Sequence, residues 1–257
     1  MRTKTLLLTA AALLAAGITS TQAQPVYSQN VVGYASVATP GAGVNYLITV
    51  PFAIGVSNGA NEIWPLISPG NPSIPDGSLI LIWNSATLTY TTYQSDSGSP
   101  TLWDDAGGNF LPFSPTLPVG QGFFLSPASP VTNTFAGTVA VNVGTSNVMV
   151  LKNAGVNYLV APAVPYAGAV TNGTLATGAG GPCLFSPDGV KGLPDGSLLL
   201  IWNPLTLKYT TYQSDSQSGS FWDDAGGNAL PAPPSITVGQ GFFLSPANAN
   251  YNWTVGL

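Results

Sequence analysis

Carboxylates are the side chains in this chain that are best suited to chemistry, and most of them recur at a fixed spacing. Eight of the ten acidic residues form pairs 119 positions apart. The pairs are Asp76 with Asp195, Asp96 with Asp215, Asp104 with Asp223, and Asp105 with Asp224. The chain has no histidine, and its only arginine is Arg2. Ser-His-Asp and Cys-His catalysis, the usual zinc sites and arginine clamps on phosphoryl groups are therefore excluded.

Two carboxylates at a defined separation are sufficient for glycoside hydrolysis, in which one serves as the acid and the other as base or nucleophile. Here the same set occurs twice, each time in a small module without an insertion that would build a deep cleft. This duplication argues against a hydrolase, so the sequence predicts a protein that is not an enzyme.

Aromatic residues close to these acids indicate carbohydrate binding as an alternative, with rings stacking on sugars while polar groups bond their hydroxyls. The candidate ligand-binding residues are Tyr93, Trp103, Asp104 and Asp105, with their counterparts Tyr212, Trp222, Asp223 and Asp224. Two copies would add avidity. The competing interpretation is that the rings fill the core, and Trp103 is better explained that way. Tyr90 and Tyr93 must face opposite sides of a strand, so one of them is a candidate for exposure.

The same acids lie in a glycine-rich segment that offers the hard oxygen ligands calcium prefers. The candidate calcium ligands are Asp96, Asp104, Asp105, Asp215, Asp223 and Asp224. The segment lacks the alternating Asp spacing of a dedicated calcium loop. The competing interpretation is that each Asp caps a turn through backbone amides while glycines supply positive φ. No other cofactor is expected.

An internal duplication organises the whole chain. PDGSLILIWN at 75–84 returns as PDGSLLLIWN at 194–203, and TTYQSDS, WDDAGGN and VGQGFFLSPA return at the same offset. The upstream GVNYL repeats at an offset of 112, so the second copy carries an insertion between 177 and 193. The predicted organisation is a signal peptide at 1–23, one β-module at 24–144 and a second at 145–257.

Within each copy the apolar residues follow the period of two that is typical of strands. Residues 79–83 are apolar on both faces, which predicts a central buried strand, and 87–94 should pair with it across a hairpin tip at Ser85-Ala86. Further strands are predicted at 31–37, 46–50, 122–126 and 135–143, and one helical turn at 61–66. The fold class is therefore all-β, with two small sandwich-like or barrel-like modules.

The N-terminus has the order of a secretory signal peptide: charged residues, an apolar run from Leu6 to Ala16, and small residues up to Ala23. No later segment is long and apolar enough for a membrane span. Removing 1–23 shifts the formal charge from −5 to −7, which excludes nucleic acid as a partner. The single cysteine, Cys183, allows no internal disulfide and is expected to be a small buried hydrophobe, with an intermolecular bridge as the alternative.

Taken together, the G-x-N-Y-L-x-x-x-P opening, the P-D-G-S strand ending in Trp-Asn and the G-Q-G-F-F-L-S-P ending resemble modules of exported bacterial proteins. Those modules carry a "GWNLISNP... KWN... PGEGFFV"-like signature. The resemblance spans nearly all of both copies and implies an exported β-module of surface or matrix proteins, without catalytic or binding residues to carry over. This chain departs from it at Tyr46 and Tyr158, and attachment through a sorting tail, as in such proteins, is not expected.

These observations predict a secreted, periplasmic or cell-surface protein with a structural or adhesive role. Its expected partners are surface or matrix components, glycan, or further copies of itself. Carbohydrate binding and calcium stabilisation are the two alternatives.

Overall fold

The computed structural model describes residues 32–68, 71–140, 146–170 and 193–256. The strands of the first half are β1 (Val32–Thr39), β2 (Tyr46–Thr49), β3 (Leu66–Ser68), β4 (Asn71–Pro72), β5 (Leu79–Asn84), β6 (Thr89–Ser95), β7 (Trp103–Asp105), β8 (Gly122–Ser126) and β9 (Val131–Thr138). Those of the second half are β10 (Ser146–Leu151), β11 (Tyr158–Val160), β12 (Gly168–Ala169), β13 (Leu198–Asn203), β14 (Lys208–Ser214), β15 (Trp222–Asp224), β16 (Ser235–Ile236), β17 (Phe242–Ser245) and β18 (Tyr251–Gly256). The one described helix is α1 (Ala60–Ile63).

The prediction of an all-β fold is confirmed, and the duplication is visible in the strand order. One antiparallel sheet has the order β2-β8-β5-β6-β7 and the other has the equivalent order β11-β17-β13-β14-β15. Separate ribbons pair β1 with β9 and β10 with β18. Every strand pair of a sheet forms within residues 32–138 or within 146–256, so each half builds its own sheets.

Strand β5 lies in the middle of its sheet, and its apolar side chains face two different apolar clusters in alternation. Ile80 and Ile82 point to the core of their own module, while Leu81 and Trp83 point to a layer shared with the second module. A strand buried on both faces needs apolar residues at every position, which is the pattern LILIW.

Each module has its own apolar core, and a third apolar cluster joins them. The first core includes Phe52, Trp64, Trp103, Phe123 and Phe135. The second includes Trp222, Phe242, Leu244, Tyr251 and Trp253. The shared cluster, which we call the junction, has Leu47, Phe124, Leu159 and Phe243 at its buried centre, with Leu81, Trp83, Leu200 and Trp202 packed around them. The two five-stranded sheets thus face each other across the junction as in a sandwich.

The junction is stabilised by polar contacts that are themselves duplicated. The Trp83 indole N–H donates to the Asn157 carbonyl at 2.7 Å, and the Trp202 indole N–H donates to the Asn45 carbonyl at the same distance. Equivalent backbone bonds run from Thr49 to Gly239 and from Ala161 to Gly120, at 2.9 Å each. The two modules therefore meet through the same surface, as the subunits of a twofold dimer do.

The predicted two-residue hairpin tip at Ser85-Ala86 is wrong, because the connection between β5 and β6 has four residues, 85–88. The Asn84 side-chain oxygen accepts the amides of Ala86 and Thr87 at 2.9 and 3.3 Å, and Leu88 closes the loop at φ +56°. Asparagine caps such turns through its own side chain, so Asn84 was the residue that indicated where the turn begins.

A short segment of the first module departs from strand structure around α1. Glu62 folds back onto the preceding turn and accepts the amides of Val56, Gly59 and Ser57 at 2.8, 2.9 and 3.0 Å. The backbone bonds from Val56, Gly59 and Ser57 lower the pKa of Glu62 to about 2. The predicted helical turn at 61–66 is thus real but begins one residue earlier and ends at Ile63, before Pro65.

Several expectations fall outside the described residues. These are the signal peptide at 1–23, Cys183, and all but the last residue of the insertion at 177–193. In the part of the chain that is described, no helix reaches the length and apolarity of a membrane span.

Replacing Trp83 by Phe should weaken the junction, because it leaves the Asn157 carbonyl without the indole donor while keeping most of the apolar contact. A loss of about 1–2 kcal/mol in the free energy of unfolding is expected. Trp202→Phe should cost the same amount, because its contact with Asn45 is equivalent. Urea unfolding followed by far-UV circular dichroism measures both. Tyr34→Phe, at an exposed position, is the control and should change nothing; equal stability of all three variants would contradict the assigned junction contacts.

Glu62→Gln should destabilise the protein at neutral pH, because the carboxylate accepts three backbone amides. A folded-state pKa below the ordinary value of 4.5 means that the charge contributes stability above that pH. The contribution is lost as the pH falls from 4.5 towards about 2. Melting temperatures of the two proteins should therefore differ at pH 7 and converge near pH 2. A difference that stays constant over that range would show that the charge is not involved.

Candidate functional site

The repeated carboxylates of Asp76 and Asp195 hold neighbouring turns together. Asp195 accepts the amide and the hydroxyl of Ser216 at 2.8 and 2.7 Å. Asp76 accepts the same two groups from Ser97, with the amide at 3.0 Å. Each pair ties the turn before the central strand to the loop after its hairpin partner, so these carboxylates are used structurally.

Asp105 and Asp224 each close the turn that follows them. Asp105 Oδ1 accepts the amides of Gly107 and Asn109 at 2.8 and 3.0 Å, and the Asn109 side chain donates to both carboxylate oxygens. Asn109 and then Gly107 hold the pKa of Asp105 below its ordinary value. Asp224 repeats these bonds with Gly226 and Asn228. The competing interpretation of these two acids as turn caps is confirmed.

Asp104 is different, because its carboxyl group is buried without a full set of partners. Its side chain is 6% exposed, and its Oδ1 is buried with no hydrogen-bond partner. The Ser99 hydroxyl and the Asp96 carboxylate lie against it. Burial raises the pKa of Asp104, and the neighbouring Asp96 charge raises it further. Asp223 Oδ1 is likewise buried and unpartnered in the second module.

Asp96 and Asp215 cap the loops in which they lie. Asp96 Oδ1 accepts the Gly98 amide at 2.8 Å, and Asp215 Oδ1 accepts the Gln217 amide at 2.9 Å. The second carboxylate oxygen of each has no donor among the described residues. Asp96 and Asp104 are therefore brought together with oxygen atoms that remain available, while Asp105 is committed to its own turn.

The aromatic residues proposed for sugar stacking lie mostly in the cores. Trp103 and Trp222 are 1% and 0% exposed, so neither indole offers a free face. Tyr93 and Tyr212 are half-buried and pack against the two cores. The predicted binding role of these residues stays a prediction, but of the four aromatic rings only those of the two tyrosines are partly exposed. Tyr90 and Tyr209 lie on the faces opposite to Tyr93 and Tyr212, against Trp83 and Trp202, as the period of two required.

Two exposed rings escaped the sequence reasoning. Phe110 is 61% exposed and Phe113 is 81% exposed, on the segment that follows the Asp105 turn. The second module has Ala229 and Ala232 at the equivalent positions. The signal that could have revealed them is this difference between the copies, because the surrounding segment is otherwise largely repeated.

The junction also opens two equivalent clefts, one on each side. The first has a volume of about 250 Å³ and is bounded by Trp83, Ser85, Gln121 and Tyr158, with Leu159 at its floor. The second, of about 240 Å³, has Trp202, Pro204, Gln240, Tyr46 and Leu47 at the matching positions. Among the described residues, neither cleft has a charged side chain in its lining.

Within residues 32–68, 71–140, 146–170 and 193–256, no three His, Cys, Asp or Glu side chains come together as a metal-binding group. Compared with models of protein families, with curated proteins and with solved structures, the chain finds no match.

Proposed function

We propose that this chain is an exported, non-enzymatic scaffold that acts structurally or adhesively at the cell surface or in the extracellular matrix. The observation that supports the proposal is the use made of the repeated residues. Asp76, Asp105 and their counterparts hold turns, and Trp83 with Trp202 joins the modules. What the duplication preserves is therefore mechanical: turns and an interface.

Hydrolysis is less well supported by the same contacts. A general acid must reach the bond it protonates. The carboxyl whose raised pKa would suit an acid, Asp104, has its Oδ1 buried, and Asp105 has both oxygens bonded within its turn. The structural use of these groups supports the scaffold over the enzyme.

Exposed apolar side chains on both modules support an adhesive role. Tyr34, Phe113 and Leu205 are 80%, 81% and 91% exposed. Charged residues make up only 6% of the chain, so repulsion between copies or from a matrix is weak. Such a surface favours contact with other macromolecules.

The scaffold proposal is tested by incubating the purified, labelled protein with envelope and matrix material from the producing cells. Retention in the sedimented fraction is expected, without release of reducing sugar ends. The triple variant Tyr34→Ser, Phe113→Ser, Leu205→Ser should be retained several-fold less well. The matched control Thr91→Ser, Thr210→Ser, Asn248→Ser changes three exposed polar positions and should behave as the parent. Release of reducing ends by the parent would contradict a non-enzymatic role.

Calcium stabilisation is a second candidate, favoured by the unpartnered oxygen of Asp104. A buried carboxylate oxygen without a donor is costly unless a proton or a cation meets it. Asp96 and the Ser99 hydroxyl lie against the same group and add oxygen ligands. Calcium binds about six to eight oxygens, with water supplying those the protein does not. We propose Asp104 and Asp96 as its ligands in the first module and Asp223 and Asp215 in the second, without Asp105 and Asp224.

Calcium chloride should raise the melting temperature above that in sodium chloride of equal ionic strength, and a chelator should reverse the rise. Asp104→Asn should reduce the rise, because it removes a charged ligand, and should itself stabilise the chelated protein by removing a buried charge. Asp105→Asn is the control, which should lose stability yet keep the calcium response. A melting temperature that does not respond to calcium would refute this candidate.

A further inference from the structure

The two junction clefts share a backbone but differ in the polar groups they present. In the second cleft, Gln240 Oε1 accepts the Thr237 amide at 3.0 Å and the Thr237 hydroxyl at 3.2 Å, so this side chain closes its own turn. The first module has Pro118 at the position of Thr237, and proline has neither donor. The Gln121 side chain accordingly makes no hydrogen bond to any described residue, and it lines the first cleft.

A second difference points the same way. Ser85 lines the first cleft, and its hydroxyl is bonded to no described residue, whereas Pro204 stands at the equivalent place in the second. The first cleft therefore presents a carboxamide and a hydroxyl that no described residue engages. In the second cleft the carboxamide oxygen is bonded to Thr237 and the hydroxyl is replaced by Pro204, although both clefts have a tryptophan and a tyrosine in their walls.

The wall and the polar groups define the chemistry of a fitting ligand. Small-molecule sites are mostly apolar, have a few placed polar groups and occur often between domains. A carboxamide and a hydroxyl donate and accept hydrogen bonds, which suits a ligand bearing several hydroxyls. The described residues of the lining carry no charge, so they would not compensate a charged ligand for the hydration it loses. The volume of about 250 Å³ lies just below the range of about 300–1,000 Å³ of typical ligand pockets, which limits the occupant to roughly one ring.

We propose that the cleft bounded by Trp83, Ser85, Gln121 and Tyr158 binds one neutral sugar ring of a glycan. This site goes beyond the scaffold role and does not depend on it. It lies apart from the acids and aromatics that the sequence marked for sugar binding. The second cleft is the internal comparison, since it keeps the tryptophan and the tyrosine, has Pro204 in place of the hydroxyl, and has its glutamine oxygen bonded to Thr237.

Binding is tested on the full chain by ligand-observed saturation-transfer NMR. The probes are glucose, galactose, mannose and N-acetylglucosamine, with glucuronate and glucosamine as charged comparisons. At least one neutral sugar should bind, and the charged sugars should bind at least several-fold more weakly. The double variant Ser85→Pro, Gln121→Leu should lower the affinity about tenfold or more, as expected for two lost hydrogen bonds. Ser85→Pro places in the loop the residue that the second module already has there.

Two controls separate this site from its competitors. Val56→Ala shortens a fully exposed apolar side chain outside the cleft and should leave the affinity unchanged. Tyr93→Phe removes the hydroxyl of the tyrosine that the sequence marked for sugar binding, and it should also leave the affinity unchanged. In the parent protein the indole N–H resonance of Trp83, assigned by its loss in Trp83→Phe, should shift on titration with the sugar that binds. No binding by any neutral sugar, equal binding of charged sugars, or undiminished binding by the double variant would each overturn the proposal.

Discussion

The structure depends on two indole N–H groups that cross the junction. Trp83 and Trp202 lie one residue before the ends of the central strands of their sheets, and each donates to a carbonyl of the other module. A buried indole needs an acceptor, and a carbonyl at the end of a strand needs a donor, so the two modules satisfy each other. Around these bonds the rings pack edge to face, with Trp83 against Phe243 and Phe124 against Trp202 at 5.7 and 5.5 Å. The relation is reciprocal, as at the interface of a symmetric dimer.

This constraint explains why the central strands are apolar at every position. One face of each sheet covers the core of its own module, and the other covers the partner module. Glycine at positions 122 and 241 serves the same contact, because a side chain there would press on the Val160 or Ile48 carbonyl at 3.1 and 3.2 Å. The sheets approach closely at this point because those positions carry no side chain.

Residues that are the same in the two modules and residues that differ between them indicate different roles. Repeated acids hold turns, and repeated aromatics fill cores, so identity between the copies reports on folding. The functional candidates lie where the copies diverge: Phe110 and Phe113 against Ala229 and Ala232, Ser85 against Pro204, and Pro118 against Thr237. A duplicated chain that keeps one copy for stability is free to change groups in the other. The Asp104 carboxyl is the exception, since its unpartnered oxygen recurs at Asp223.

The sequence alone predicted most of the longer strands, the duplication and the opposite faces of Tyr90 and Tyr93, because period-two alternation and repetition are local properties of the chain. It missed β3, β4 and β7, and it placed at 135–143 the strand that lies at Val131–Thr138. It also left both uses of the acids open, since an Asp before glycines reads equally as a turn cap and as a ligand. Only the tertiary structure decided that Asp105 bonds its own turn while Asp104 is buried beside Asp96. It alone showed that the second face of the central strand covers the other module. Both depend on contacts between residues far apart in sequence, which a one-dimensional pattern does not encode.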